Sequence, residues 1–313
     1  MRLLAARAEL VMQAASDLFF GVTFGVLSSL LFAVQNVIFK GQRTGITPTA
    51  ANTIKVWVGL GFMAVLAYLP FRSTSSLIPL DTIFVLAISV LFGAAFGDLA
   101  YLHSQNRIGV SVAFPIAHSY PVLTYLFSVI ALGELFYLSR LIGVVMAVLG
   151  IIMVSREKTA GKEPDEIRVG GLDRLGLALA ILTSIMLAAA TLLVQVGMAE
   201  IDPIDGNLVR MFFGSLAMVP IFVISRSRGM PLPTRQVTKT ILIASLFGSS
   251  LGSLFFVASI KYAGATISAV VSSTAPLFAL PLSLSHLREH VTPNVIVGTV
   301  VVMLGVALAI VGG

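Results

Sequence analysis

The chain has no cysteine and one tryptophan, and only 11% of its 313 residues are charged. Without cysteine there are no disulfides, thiolate metal sites or thiol nucleophiles, and nothing points to a redox compartment. A soluble domain carries roughly 25% charged residues, so this chain lacks the polar surface needed to cover itself in water. Other absences narrow the reading further. No G-x-x-x-x-G-K-[ST] loop is present, which removes ATP-driven transport by this chain alone. No uninterrupted apolar run precedes Asp17, because Arg2, Arg7 and Glu9 break it. A cleaved signal peptide is therefore not expected, and Met1 to Asp17 reads as an interfacial helix. No arrangement of nucleophile and base stands out either, so no cofactor is expected.

What the chain has in abundance is apolar sequence. Hydrophobic residues make up 57% and the mean hydropathy is +1.00, as for an integral membrane protein. The net charge of +6 sits mostly in short loops. It suits anionic lipid headgroups and gives no ground for nucleic-acid binding. Apolar segments long enough for a bilayer span of roughly 17–25 residues fall near 19–39, 53–70, 82–105, 109–132 and 139–155. A second set falls near 175–197, 207–225, 240–260, 264–285 and 293–311. Between them, Ser155 to Arg174 carries five basic and five acidic residues and marks a linker. The expected division is a tail over 1–18, a first repeat over 19–155, a charged linker over 156–174 and a second repeat over 175–313.

The two sets are copies. A constant shift of 155 residues lays Leu91, Phe92, Gly93 and Gly97 on Leu246, Phe247, Gly248 and Gly252 without a gap. The same shift carries Gly109 to Gly264, Pro121 to Pro276, Glu134 to Glu289, Gly143 to Gly298 and Gly150 to Gly305. Upstream it carries Pro48 to Pro203 and Asn52 to Asn207, and it sets Lys55 on Arg210. A shared Gly, Pro, Asn and Glu framework at one offset is an internal duplication. With five spans per copy, an odd number, the second copy enters the membrane from the opposite side. The expected fold is thus all-α, ten transmembrane helices as two inverted five-helix repeats, a plan that recurs in secondary transporters.

On Gly93, Gly97, Pro121, Gly133 and Glu134, repeated as Gly248, Gly252, Pro276, Arg288 and Glu289, the chain resembles the EamA-type branch of the drug/metabolite transporter superfamily. The resemblance covers the chain from about Gly21 onward. It implies ten helices around a central cavity and export of small metabolites or amino acids. The arginine usual in the family's second helix stands as Arg210 in the second half, whereas the first half has Lys55. The partners expected are a small-molecule substrate and the lipid bilayer, in the cell (inner) membrane, with no enzymatic activity.

Polar residues within spans cost a few kcal/mol each, and a proline there frees carbonyls of the preceding turn; together they form the candidate cavity: Gln35, Asn36, Asn52, Lys55, Trp57, Tyr101, His118, Tyr120, Pro121, Asn207, Arg210, Ser272 and Pro276. Lys55 and Arg210 either face that cavity or snorkel to the headgroups. Asp98 and His118 are the candidates for proton coupling, since an acid can exchange protons and an imidazole changes charge near neutral pH. The alternative is a hydrogen-bonded structural pair. An uncoupled facilitator of the same fold is the alternative within transport. His286, Glu289 and His290 spell H-x-x-E-H, a zinc-protease pattern. Here Glu289 duplicates Glu134, whose surroundings supply no such ligands, and Pro293 ends the helix almost at once. Orientation is contested within the sequence. Leaving Lys55 and Arg210 aside, thirteen basic residues lie on one side against five on the other, which sets both termini outside. The resemblance implies both termini in the cytoplasm.

Overall fold

The computed structural model describes residues 2–40, 42, 45–68, 78–160, 173–275, 277–278 and 293–312. Pro276 and the motif His286, Glu289 and His290 lie outside the described residues. Helices α1 (Arg2–Lys40), α2 (Pro48–Ala67) and α3 (Leu80–Ile108) are followed by the short pair α4 (Val110–Ala117) and α5 (Tyr120–Leu132), and then by α6 (Leu138–Ala160). The second half gives α7 (Arg174–Gly197), α8 (Pro203–Ser227), α9 (Arg235–Ser272, two helices joined across a break at Gly264) and α10 (Pro293–Val311). No strand occurs among the described residues. Six of these helices are long and apolar enough to cross a membrane, and shorter apolar helices occupy Tyr120–Leu132, Leu138–Val154 and Ile296–Val311.

Local sequence sets the helix ends. Thr47 and Asp202 cap α2 and α8 through their side-chain oxygens, each followed by a proline in the first turn, where the missing N–H costs nothing. Gly109 and Gly264 take positive φ (74° and 79°) at equivalent places. There the third helix of each half gives way to the fourth, a conformation that L side chains resist. Two expectations change. The N-terminal interfacial helix is not separate: α1 runs unbroken through Asp17, since nothing between Arg2 and Phe20 is a glycine or proline and most of these residues are good helix formers. The segment expected as one span over 109–132 is divided, with a turn at His118 and Ser119 ahead of Pro121.

Both third helices contain a π-helical stretch, Leu91–Gly97 and Leu246–Gly252, at positions related by the 155-residue shift. The wider turn brings the carbonyl of the fifth preceding residue towards its last residue. At Gly97 a Cβ would collide with the Phe92 carbonyl, and at Gly252 it would lie 3.3 Å from that of Phe247. The shared glycine is what the π turn requires.

The halves interlock reciprocally. Gly143 abuts Ala309 while Gly150 meets Val302 and Gly298, and Gly305 meets Ala147, so α6 and α10 cross antiparallel with each residue's contact mirrored in its copy. Helices α2 and α8 do the same: Gly59 faces Met211, Ser215 Oγ donates to the Val56 carbonyl at 3.1 Å, and Asn52 lies against Met218. The first helix of each half packs on the other half. Ser28 Oγ donates to the Gly252 carbonyl at 2.9 Å, and its copy Thr183 Oγ1 to the Gly97 carbonyl at 3.5 Å. Ser29 bonds Thr274 at 2.9 Å, and Ser184 bonds Ser119 at 3.3 Å. Such mirrored pairs define a two-fold axis perpendicular to the crossing helices. Buried apolar clusters also join the halves, for example Leu86 with Val194 and Val257, and Tyr125 with Val270 and Ala309. The repeats are therefore units of sequence with a shared core.

Candidate functional site

The third helix of the first half carries Asp98 at the end of its π turn, and Lys55 of α2 forms an ion pair with it. Both side chains are mostly buried, 17% and 29% exposed. One turn before Lys55, the Asn52 amide donates to the carbonyls of Ala94 (2.8 Å) and Ala95 (3.3 Å). These belong to the π turn, whose irregular bonding leaves acceptors to be filled. Asn52 Oδ1 has no partner. Tyr101 meets the His118 ring edge-on, centroids 5.2 Å apart, and Phe114 stacks on its other side at 3.9 Å. His118 Nδ1 lies 3.1 Å from the Phe114 carbonyl. A carbonyl only accepts, so Nδ1 carries the hydrogen and Nε2 is the nitrogen left to take up a proton. Lys55–Asp98 and Tyr101–His118 are thus two pairs, both anchored on the third helix through Asp98 and Tyr101, one turn apart, with Asn52 beside the first.

The second half rebuilds this arrangement without the acid. Arg210 occupies the register of Lys55, and Ser253 that of Asp98. Arg210 is 5% exposed; its Nε donates to Ser89 Oγ (3.1 Å) and its Nη1 to Asn207 Oδ1 (3.2 Å). Ser253 Oγ donates to the same Asn207 oxygen at 3.1 Å. Among the described residues Arg210 makes no ion pair. Asn207 is fully buried, and its Nδ2 has no hydrogen-bond partner.

The antiparallel crossing of α2 and α8 locates both cations. Contacts run from Gly59–Met211 to Asn52–Met218, so the crossing centres near positions 57–58 and their copies 212–213. Lys55 and Arg210 are two or three residues away, about 4 Å along the helix at 1.5 Å per residue. They flank the two-fold axis that relates the two halves.

Other predicted residues are dispersed. Gln35 is buried, and its Oε1 accepts from Ser249 Oγ at 2.9 Å, tying α1 to the second π turn. Asn36 is exposed. Trp57 and its copy Phe212 are 49% and 51% exposed, on the face turned away from Lys55 and Arg210, two residues or about 200° around the helix. Tyr120 and Pro121 are buried; the Tyr120 hydroxyl reaches the Ala269 carbonyl at 3.4 Å, and Ser272 Oγ has no partner among the described residues. An apolar cleft of about 380 Å³ between α3, α5 and α7 is lined by Phe92, Phe127, Ile130 and Leu192 among others, and offers no polar chemistry. Sequence reasoning missed Ser89, for which no motif exists. The 155-residue shift pairs Ser253 with Asp98, but its hydrogen bond to Asn207 is visible only in the structure. Glu134 receives a hydrogen bond from Gln195 Nε2 at 3.3 Å, and Gln195 Oε1 accepts from Ala265 N at the Gly264 break.

Outside the helical core, Asp173 caps α7 and accepts from Arg107 Nη1 at 2.9 Å. That hydrogen bond, chiefly, holds its carboxyl below the usual aspartate range.

Comparison with known proteins agrees with this architecture. A crystal structure of another protein, 16% identical, superposes with a TM-score of 0.74 over 94% of this chain and 95% of that one. This is a likeness of fold. An uncharacterized transporter of Archaeoglobus fulgidus is 22% identical over 287 residues, 92% of this chain and 96% of its own length. The model of the EamA-like transporter family matches twice, over residues 19–156 and 174–311. The chain is a multi-pass integral membrane protein and belongs to the EamA-like transporter family.

Proposed function

We propose that the chain is a secondary transporter of ten transmembrane helices in two inverted five-helix repeats, exporting a small metabolite or amino acid by alternating access. The observation that carries this reading is the pair of buried cationic groups flanking a two-fold axis. Two halves that pack antiparallel through small residues can rock about a site at their centre. Ionisable groups at membrane depth are costly, and transport gives them a reason. On this reading Lys55, Arg210, Asn52, Asn207, Tyr101 and His118 border the substrate path. Asp98 and His118 exchange the coupling proton: uptake by Asp98 frees Lys55, and His118 Nε2 is the neighbouring acceptor.

The test is reconstitution into liposomes and counterflow of a metabolite and amino-acid panel with and without a pH gradient. The expected result is accumulation of a panel member driven by the gradient and uncoupled by Asp98→Asn or His118→Ala. Exchange indifferent to pH would leave a facilitator and remove the coupling role.

A further inference from the structure

The duplication allows each half to be compared with an internal control, and one position stands out. In the first half the helix-2 cation has a built-in counter-charge, Asp98. In the second half the same backbone position holds Ser253, and Arg210 is bonded to neutral Ser89 and Asn207. We propose that Arg210 and Asn207 form the subsite for a carboxylate of the transported solute, which supplies from outside the charge that Asp98 supplies from within. The proposal rests on the transporter reading and names its substrate class.

The hydrogen-bond inventory points the same way. A guanidinium has five N–H donors, of which Nε and Nη1 are seen committed here. The donor Nη1 fixes the amide orientation, because only an oxygen at that end of Asn207 can accept from it. The other end is therefore the NH2 group, fully buried and without a partner among the described residues. Asn207 Oδ1 already receives two donors, Arg210 and Ser253. The site thus has donors and positive charge in excess and lacks an acceptor. Leaving a buried cation without a counter-charge is costly, and a carboxylate satisfies both needs, with the planar two-oxygen geometry that guanidinium binds best. A neutral solute could accept from these donors but leaves the charge unmatched, and a cationic one adds to it.

Ser253→Asp is the decisive variant. The first half shows that the fold accepts a carboxylate at this register, so Ser253→Asp is expected to fold, to melt higher than wild type, and to occupy the subsite permanently. Ser253→Asn serves as the steric control and is expected to gain nothing. Purified wild type, Ser253→Asp and Ser253→Asn are compared by melting in detergent with sodium acetate, acetamide and ethylamine, and with sodium benzoate, benzamide and benzylamine. The same six probes are then followed by counterflow in liposomes. The proposal expects carboxylates alone to raise the wild-type melting temperature. It also expects their flux to fall at least about tenfold in Ser253→Asp, since a like charge in the site costs more than the 1.4 kcal/mol that tenfold represents. Flux of amides or amines without carboxylates would overturn the carboxylate subsite and leave the transporter. Absence of flux for all six probes would count against the transporter, and the subsite would then stand or fall on whether carboxylates protect wild type but not Ser253→Asp. Failure of Ser253→Asp to fold while Ser253→Asn folds would overturn the proposal outright.

Discussion

Two versions of one structure sit side by side in this molecule, and they differ in how a buried cation is held. In the first half Lys55 meets Asp98, and the Asn52 amide is free to fill the π-turn carbonyls of Ala94 and Ala95. In the second half no acid stands at the copied position, so Asn207 turns its oxygen to Arg210 and Ser253 and its amide goes unpaired. The Asp-to-Ser and Lys-to-Arg differences together go with the opposite use of the neighbouring asparagine's amide.

The largest effect expected from breaking this comparison is at Asp98. Asp98→Asn strands Lys55 in a mostly buried setting, and removing one member of a buried ion pair costs about 3–5 kcal/mol, with the partial exposure placing this one near the lower end. Ser253→Ala removes one neutral hydrogen bond, worth about 1 kcal/mol. Melting in detergent should therefore fall much further for Asp98→Asn than for Ser253→Ala; equal shifts would mean that the two halves are not held differently.

The shared seam should behave in the opposite manner, with both halves equally sensitive. Helix propensity favours alanine over glycine by about 1 kcal/mol. A Cβ at Gly150, however, would lie 2.7 Å from Gly298 O and Val302 N, and one at Gly305 would strike Ala147 N. Backbone atoms cannot step aside, so Gly150→Ala and Gly305→Ala should each destabilise by about 1–2 kcal/mol. A gain in melting temperature for either would show that α6 and α10 are not in close contact.

Smaller again are the hydroxyls that reach across to the π turns. Ser28→Ala should cost about 1 kcal/mol, and Thr183→Val should loosen the π turn less, because its hydroxyl donates chiefly to the Leu179 carbonyl at 2.8 Å and only reaches Gly97 at 3.5 Å.

The smallest difference expected is at Arg107 and Asp173, whose copies are the apolar positions Tyr262 and Leu18. Asp173 is held below its ordinary range by Arg107 in the folded chain. Its contribution is therefore complete above about pH 4 and lost as pH falls through the depressed folded value. The melting difference between wild type and Asp173→Ala should shrink only on acidification below that point.

Much of the fold was legible because it is carried by residues with few substitutes. Gly97, Gly143 and Gly150 sit where a Cβ meets backbone, Pro48 and Pro203 start helices, and Gly109 and Gly264 end them. Their common offset revealed the duplication. The π turns were not legible, since they depend on partners distant in sequence: the Asn52 amide, and hydroxyls of the opposite half's first helix. Lys55 and Arg210 looked like residues near a span end because span limits say nothing about where two helices cross. Ser89 is an ordinary serine until α8 brings a guanidinium to it. The Asp98 and Ser253 pair was available from the offset alone, but its meaning needed the Asn207 orientation.

The account depends most on the two halves crossing the membrane in opposite senses. The chain has no cysteine, so single cysteines can be introduced without a background. Ile78 and Pro233 are copies of one another just ahead of α3 and α9. In sealed vesicles of uniform orientation, Ile78→Cys and Pro233→Cys should react with a membrane-impermeant maleimide from opposite sides. Labelling of both from the same side would contradict the inverted arrangement, and with it the alternating-access mechanism built on it.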